Sequence, residues 1–275
     1  MHKVRYTAAD PRTAAGLVER FIRKHDNPLL VDPPLVVTSR PPFPRDLAWS
    51  AVFAFLFCAW GFSRLRKPVA RSEADLTTAL GPALLAARPL AVHPLSHQLR
   101  AHWFRPGRAV LAVVSPQKGD GHTRVAAELA RAFAAMGEPT LVIDADLRSP
   151  QLHHAFGLPN RAGLADFLEG RSVRLEHCAE NLAVLVAGRG AGDPLELLSR
   201  ERLREFLAVA AKHYRVVLVD TPAAACGPDL QLFAAFAGGA LVVTRRPTQT
   251  KALERLRDFL AGARARVVGT VLTPA

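Results

Sequence analysis

Largely apolar runs of residues alternate with amphipathic segments along the second half of the chain. Six such runs are bounded by polar or turn-forming residues, at positions 109–115, 139–146, 181–188, 214–223, 239–244 and 265–273. A strand that is buried on both faces gives a run of this kind, because each face packs against apolar neighbours. We therefore predict six β-strands in this region.

The segments between these runs show helical spacing. In the stretch 123–137, apolar residues recur every three or four positions, and the pattern ends at Gly137. Two more helices are predicted, around Glu201–His213 and Gln249–Ala263. Strands that alternate with helices indicate an α/β fold, with a mainly parallel sheet covered by helices on both faces. Ligands of such folds bind beyond the carboxyl ends of the strands.

A different pattern precedes the α/β region. Residues 1–45 are polar and end in a proline-rich stretch, and after Asp46 the 17 residues from Leu47 to Ser63 carry no charge. A helix formed by these 17 residues would be about 25 Å long, slightly less than the roughly 30 Å hydrocarbon core of a bilayer. Trp49 and Trp60 lie near its ends, and more basic residues follow it than precede it. We predict a transmembrane helix at 46–64 with its C-terminal side in the cytoplasm; a buried core helix is the alternative.

Charge and cysteine content narrow the class of protein. The chain has 36 Lys and Arg against 24 Asp and Glu, a net charge of +12. This excess favours an anionic partner, such as phosphate or anionic lipid, although arginines spread over solvated faces would give the same count. No aromatic-interleaved basic motif or zinc-ligand spacing supports nucleic acid as the partner. The three cysteines show no pair spacing, which favours a reducing compartment.

The stretch SPQKGDGHTR, residues 115–124, follows the first predicted strand and leads into the first predicted helix. Aligned on its second glycine with the phosphate-loop pattern G-x-x-x-x-G-K-[ST], it has His122 in place of the lysine and Thr123 as the hydroxyl residue. Its glycines let backbone N–H groups turn inward, and the helix adds its positive end. An unperturbed imidazole is mostly neutral at pH 7, although a bound phosphate would raise its pKa. A plain glycine turn is the alternative. The predicted phosphate-binding residues are Lys118, Gly119, Asp120, Gly121, His122, Thr123 and Arg124, of which Lys118 and Arg124 are candidate replacement cations.

Three aspartates follow two of the predicted strands. Asp144 and Asp146 end the strand LVIDAD, two residues apart and therefore on the same side of the chain, and Asp220 ends VVLVD. A single aspartate in such a place is often a helix cap or a turn residue. Three of them behind a glycine loop predict a site that holds Mg²⁺ and orients a nucleophile for phosphoryl transfer.

These motifs resemble a known family. The stretches AVVSPQKGDGHT, LVIDADLRSPQLHHAFGLPNRAGLADFLEGR, VVLVDTPAA and VVGTVLT are similar to bacterial tyrosine kinases of polysaccharide export, a group of MinD-like P-loop ATPases. The likeness runs from Leu95 to Leu272. It implies ATP and Mg²⁺ as cofactors, with Asp144 activating an acceptor hydroxyl or water and Asp146 supporting it. It also implies that Thr123 and Asp220 hold Mg²⁺, and that Arg148 lies near the γ-phosphate or orders its loop.

The upstream region has its own resemblance. Residues 10–45 followed by the apolar run are similar to the end of a polysaccharide co-polymerase domain, of which the first membrane helix and most of the periplasmic part do not appear in this sequence. The implied organisation is a periplasmic remnant (1–45), a transmembrane helix (46–64), a juxtamembrane linker (65–94) and a kinase-like domain (95–275). The implied location is the bacterial inner membrane with the C-terminal domain in the cytoplasm. The implied partners are the polysaccharide polymerase and export machinery, a membrane co-polymerase and further copies of the chain, with no nucleic acid.

Several positions depart from the family pattern. Besides His122, the ring-forming motif E-x-x-R-x-x-R retains only its last residue, Arg100, and Thr273 stands where an asparagine would read the base. The only tyrosines are Tyr6 and Tyr214, so the family's C-terminal tyrosine cluster is not expected.

Four functions remain open at this point. The first is a nucleotide-binding, kinase-like regulator of exopolysaccharide polymerisation, chain length and export, with slow or absent phosphate transfer. The second is an active ATPase or protein tyrosine kinase in which Lys118 or Arg124 replaces the loop lysine. The third is a membrane scaffold with a vestigial pocket. The fourth, a MinD-type partitioning ATPase, fits the fold only, because its signature lysine would fall at Gln117.

Overall fold

A computed structural model describes residues 69–70, 73–80, 86–87, 92–190, 192–199 and 201–273. All of them belong to one compact unit, residues 66–275. The predicted polar segment 1–45 and transmembrane helix 46–64 lie outside the described residues. Among the helices that are described, none has the length and hydrophobicity to cross a bilayer.

The elements follow one another along the chain with short connections. The strands are β1 (Val69–Ala70), β2 (Ala86–Ala87), β3 (Val110–Val114), β4 (Thr140–Asp144), β5 (Glu176–Ala179), β6 (Leu182–Leu185), β7 (Val216–Asp220), β8 (Gly239–Arg245), β9 (Thr248–Gln249) and β10 (Arg266–Thr273). The helices are α1 (Glu73–Leu80), α2 (Val92–His102), α3 (His122–Ala135), α4 (Leu152–Phe156), α5 (Leu164–Leu168), α6 (Pro194–Ser199), α7 (Glu201–His213), α8 (Leu230–Ala237) and α9 (Thr250–Gly262).

Eight strands form one sheet in the order β2-β10-β8-β3-β7-β4-β6-β5. Every neighbouring pair is parallel except β5 and β6, and β1 pairs with β9 in a separate two-stranded sheet. Alternate residues of β3 pack on opposite sides: Leu111 and Val113 join a core with α2 and α3, whereas Ala112 and Val114 join a core with α8 and α9. Helices therefore cover both faces, as predicted.

Part of the predicted linker 65–94 belongs to the folded unit. Strand β2 pairs with β10 at the sheet edge, and the described residues Ala70, Leu76 and Leu80 are buried in the core that contains α9. These apolar side chains gain from burial against an amphipathic helix. The compact unit accordingly begins upstream of residue 95, where the sequence placed the start of the kinase-like domain.

The family-like stretch 141–171 has a structural as well as a chemical role. Asp166, in α5, accepts hydrogen bonds from the backbone N–H groups of Gly163 and Arg189, both at 3.0 Å, and forms an ion pair with Arg171. Burial alone would raise the pKa of Asp166, but these hydrogen bonds lower it overall. Gly163 has no room for a side chain, because a Cβ there would lie 2.0 Å from Val186 O. This carboxylate fastens α5 to the chain that follows β6.

The register of the central strands brings the predicted site residues together. Asp144 at the end of β4 is the pairing partner of Asp220 at the end of β7, and Asp220 is also paired with Val113 of β3. The glycine loop begins directly after β3. Three adjacent parallel strands thus deliver the loop and the two aspartates to the same edge.

Candidate functional site

The loop after β3 turns on two glycines in the left-handed region. Gly119 has φ 89° and Gly121 has φ 87°, conformations that L side chains rarely adopt. Helix α3 starts immediately afterwards, at His122. The N–H groups of a first helical turn have no intrahelical acceptor, so those of His122 and Thr123 remain available to an anion, where the helix dipole favours negative charge.

Asp120 shapes this loop from within. Its carboxylate accepts the N–H of Gln117 at 2.8 Å, and its carbonyl accepts the hydroxyl of Thr273 at 2.8 Å. Burial raises the pKa of Asp120 to about 6, opposed by the hydrogen bond from Gln117. Asp120 therefore supports the loop conformation. Thr273, which stands where the family pattern has an asparagine that reads the nucleotide base, uses its hydroxyl to bind the loop.

A cavity of about 590 Å³ opens beside the loop, and it is lined by much of the predicted set. Asp146 and Ser149 of the segment after β4 line it together with residues of α3. Asp120, Asp144, Arg148 and Asp220 do not line the cavity. The predicted residues that do are Lys118, Gly119, Gly121, His122, Thr123, Arg124 and Asp146.

The carboxylates on β4 differ in burial. Asp144 is fully buried and accepts the backbone N–H groups of Leu152 at 3.0 Å and Asp146 at 3.2 Å. Burial, reinforced by the nearby charge of Asp146, raises the pKa of Asp144 to about 7. Asp146 is closer to the surface, and burial raises its pKa as well. A carboxylate with a pKa near neutrality can exchange a proton at physiological pH, as a general base must.

Asp220 is the residue best suited to a cation. It is fully buried, and within the described part of the chain neither of its carboxylate oxygens has a hydrogen-bond partner. Burial and the charge of Asp144 raise the pKa of Asp220 well above its ordinary value, and the nearby Thr123 hydroxyl opposes this shift. An unpartnered buried charge is costly, so a cation placed here would compensate it.

The residues present fit Mg²⁺ as part of a nucleotide complex. No group of three His, Cys, Asp or Glu side chains in the described residues forms a metal cluster of its own. Mg²⁺ is usually held by one or two carboxylates, with phosphates and water completing the octahedron. Asp220 and the Thr123 hydroxyl would supply the protein's share, and the ion would neutralise phosphate charge when bound.

His122 faces inward at the first position of α3. Its Nδ1 lies 2.9 Å from Ser115 Oγ and its Nε2 lies 3.8 Å from Asp220 Oδ1. Burial lowers the pKa of His122 to about 4, so the ring is neutral at physiological pH. In this structure it does not supply the positive charge of a loop lysine.

The two flanking cations have different surroundings. Lys118 Nζ donates to Ser149 Oγ at 3.1 Å, and its charge lowers the pKa of Asp146 against the effect of burial. Arg124 forms a 2.7 Å ion pair with Glu128 one turn along α3, on a largely exposed side chain. Of the two proposed substitutes, Lys118 is the one that contacts the wall carrying Asp146.

Arg148 orders its loop through a residue that sequence reasoning missed. Its Nε donates to Asp229 Oδ2 at 2.7 Å, and its backbone N–H donates to Asp146 Oδ1 at 3.2 Å. Ser115, the partner of His122, was not predicted either. The Arg148–Asp229 contact has no local signal, because the two residues are 81 positions apart. Ser115 and His122 are only seven positions apart, but their contact depends on how the loop folds back onto α3.

Comparison with known proteins places this site in a family. No protein-family model matches the chain. The chain is 32% identical over 166 residues to the tyrosine-protein kinase YwqD of Bacillus subtilis, and the match covers 58% of this chain and 70% of that protein. The chain belongs to the bacterial tyrosine-protein kinase family. Longer members also match: identity to the putative tyrosine-protein kinase EpsB of Ralstonia solanacearum is 36% over 143 residues, half of this chain but 19% of EpsB.

Solved structures agree with this family assignment. The kinase domain of the Escherichia coli tyrosine kinase ETK superposes with a TM-score of 0.64 at 28% identity, covering 67% of this chain and 74% of that one. The septum site-determining protein MinD from Pyrococcus horikoshii, solved with Mg-ADP, gives 0.51 at 23% identity over 60% of this chain and 69% of that one, a likeness of fold. The predicted P-loop NTPase fold with a mostly parallel sheet is confirmed.

Proposed function

We propose that this family member is a nucleotide-binding, kinase-like regulator of exopolysaccharide polymerisation, chain length and export. It binds ATP with Mg²⁺ and transfers phosphate slowly or not at all. In this proposal a transmembrane helix at 46–64 anchors the chain in the bacterial inner membrane, with residues 1–45 in the periplasm and the α/β unit in the cytoplasm. Its partners are the polysaccharide polymerase and export machinery and a membrane co-polymerase, and it associates with further copies of itself.

The observation that carries the proposal is His122 at the position of the loop lysine, buried with its ring 2.9 Å from Ser115 Oγ and 3.8 Å from Asp220 Oδ1. In this proposal phosphate and Mg²⁺ are bound by the left-handed glycines, the first amides of α3, Thr123 and Asp220; the left-handed backbone of the loop, the start of α3 directly after it and the lack of a hydrogen bond to either Asp220 oxygen in the described residues support this assignment. A preorganised positive charge acts mainly on the charge that develops in the transition state, so its loss lowers turnover more than affinity. We therefore expect this chain to keep affinity for Mg²⁺-ATP while its turnover is low.

One observation favours an active enzyme as the second candidate. Lys118 is next to Asp146 and lines the same cavity as Thr123. If the lysine moved from Ser149 to a bound triphosphate, it would restore the missing charge from the opposite wall. The chain would then be an ATPase or a protein tyrosine kinase of the same pathway.

Two substitutions in the producing cell separate these functions. Asp220→Ala removes the cation ligand, and we expect it to alter the length distribution of the exported polysaccharide because the nucleotide-bound state is lost. Asp144→Asn removes the general base but keeps the cradle and the cation ligand, and we expect the distribution to stay like that of the wild type. Chain length is measured by size-exclusion chromatography of purified polysaccharide, with chromosomal copies and immunoblots to match protein levels.

The two other outcomes are informative as well. A change of chain length with Asp144→Asn as large as with Asp220→Ala would favour phosphate transfer, and thus the active enzyme. Wild-type polysaccharide with both variants would contradict a nucleotide-dependent role and leave a scaffold.

A further inference from the structure

Three loops meet at the carboxyl edge of the sheet. They are the phosphate loop (115–121), the β4–α4 loop (145–151) and the β7–α8 segment (221–229). The β7–α8 segment is fastened to the start of the phosphate loop, because Ala224 N–H donates to Ser115 O at 2.9 Å. One residue further along, the N–H of Ala225 donates to the carbonyl of Pro116 at 3.2 Å.

The β4–α4 loop is joined to both of its neighbours by side chains. Lys118 Nζ in the phosphate loop donates to Ser149 Oγ at 3.1 Å. On the other side, Arg148 contacts Asp229 of the β7–α8 segment with two nitrogens, Nε to Oδ2 at 2.7 Å and Nη2 to Oδ1 at 3.4 Å. The three loops are therefore joined to one another in a closed ring of contacts.

The Arg148–Asp229 pair is an asymmetric part of this ring. Asp229 has 1% of its side chain exposed, whereas Arg148 has 38%. A buried carboxylate that loses its cation is left uncompensated, so removing Arg148 should cost more than neutralising Asp229, whose partner guanidinium is partly exposed. Two-point contact with a guanidinium also fixes orientation, which a lysine cannot do.

The backbone at Arg148 carries this constraint to the site. The N–H groups of Arg148 and Ser149 donate to Asp146 Oδ1 at 3.2 and 2.9 Å. Ser149 is also the residue that accepts Lys118. A shift of the Arg148 side chain would therefore move the groups that hold Asp146 and Lys118 in the cavity wall.

We propose that Asp229 is a positioning residue of the nucleotide site. It holds Arg148 and, through the Arg148–Ser149 backbone, sets Asp146 and Lys118 against the phosphate loop. Asp229 is not among the residues that line the cavity; it holds the site residues through Arg148, and its charge also acts on Asp146 from a distance. The expected effect on nucleotide affinity rests on the proposed function, whereas the effect on the structure of the loops can be tested without nucleotide.

The first test uses the full chain without nucleotide. In Asp229→Asn, which keeps the shape of the side chain, we expect backbone amide exchange in residues 146–151 to accelerate by about tenfold or more, with exchange in α7 unchanged. Hydrogen exchange read by mass spectrometry reports both segments in one experiment. Unchanged exchange in 146–151 would overturn the proposal. If Asp229→Asn fails to fold, Arg148→Lys tests the same pair, because it keeps a cation beside the buried carboxylate but loses the two-point contact; we expect faster exchange in residues 146–151 there too.

The second test is a double-mutant cycle on Mg²⁺-ATP affinity, with Arg148→Gln, Asp229→Asn and the double variant. We expect each single variant to weaken binding by about tenfold and the double variant to bind no more weakly than either single one. Effects that multiply would show that the two residues act independently and would overturn the proposal. Asp193→Asn is the matched control, because Asp193 is an exposed carboxylate whose charge acts on Arg148 at a distance; we expect it to leave exchange and affinity unchanged.

The two tests distinguish the failure of the positioning role from the failure of the proposed function. If the wild-type chain binds no nucleotide but Asp229→Asn loosens residues 146–151, the positioning role holds and nucleotide regulation is wrong. If the wild type binds Mg²⁺-ATP and Asp229→Asn changes neither exchange nor affinity, nucleotide binding stands and the positioning role is wrong.

Discussion

Asp220→Asn is expected to stabilise the fold and to abolish Mg²⁺-dependent nucleotide binding. Asp220 is fully buried, and in the described residues neither of its oxygens is hydrogen-bonded; an amide of the same size cannot ionise and so removes the cost of keeping this side chain protonated at neutral pH. We expect the free energy of unfolding without Mg²⁺ to rise by about 1–3 kcal/mol. The amide is a poor Mg²⁺ ligand, and affinity for Mg²⁺-ATP should fall by roughly 100-fold or more. Urea unfolding in EDTA and calorimetric titration with Mg²⁺-ATP measure the two effects.

The stability gain should depend on pH with a definite sign. Burial raises the pKa of Asp220, so the native state keeps a proton that the unfolded chain releases above about pH 4. Its favourable contribution is complete below that pH and is lost as pH rises toward the folded-state pKa. Asp220→Asn has no such titration. The difference in free energy of unfolding between this variant and the wild type should therefore be absent near pH 4 and grow toward neutral pH.

Asp258→Asn is the control for the Asp220 substitution, because Asp258 is an exposed aspartate on α9 far in sequence from the site. We expect it to change neither stability nor Mg²⁺-ATP affinity appreciably. A less stable Asp220→Asn that still binds Mg²⁺-ATP like the wild type would contradict the assignment of Asp220.

His122→Lys is expected to raise ATP turnover by about 100-fold, the size of effect found for single preorganised electrostatic groups. The imidazole occupies the first position of α3, 3.8 Å from Asp220, and burial lowers its pKa to about 4. A lysine at this position keeps its charge more readily, because its ordinary pKa is about 10.4 and both Asp220 and a triphosphate favour the charged form. Affinity for Mg²⁺-ATP should change much less. Single-turnover hydrolysis and equilibrium binding are measured on the same preparations.

Two companion variants make the His122 experiment decisive. His122→Gln keeps a neutral polar group and should leave turnover at the wild-type level. Lys118→Met in the wild-type background should leave turnover unchanged if Lys118 plays no catalytic part, and should lower it if Lys118 replaces the loop lysine. An unchanged rate in His122→Lys would contradict the inferred position of this side chain.

The sequence alone was sufficient to predict the strands that are buried on both faces and the amphipathic helices. Strand β3, predicted at 109–115, runs from Val110 to Val114, and the helix predicted around Glu201–His213 has those bounds. Runs of apolar residues and helical spacing are local patterns, so they can be read without tertiary knowledge. Strand β5 escaped detection because its residues, Glu176–Ala179, are all exposed at the antiparallel edge and show no apolar run.

Some residues of the candidate site could also be predicted from local sequence patterns, and others could not. Gly121 and the three aspartates follow from strand ends and a loop pattern, since parallel strands bring their carboxyl ends to one edge. The burial of His122 against Ser115, and its neutral state, depend on the packing of the first turn of α3 over β7. The Arg148–Asp229 pair joins two loops 81 positions apart, which no local pattern predicts.

The most direct test of the account is Mg²⁺-ATP binding and turnover by the unaltered full-length chain. We expect saturable binding that is lost in EDTA, together with hydrolysis far below the roughly 1–100 s⁻¹ typical of kinases. Absence of binding at millimolar Mg²⁺-ATP, or hydrolysis at a kinase-like rate, would contradict it.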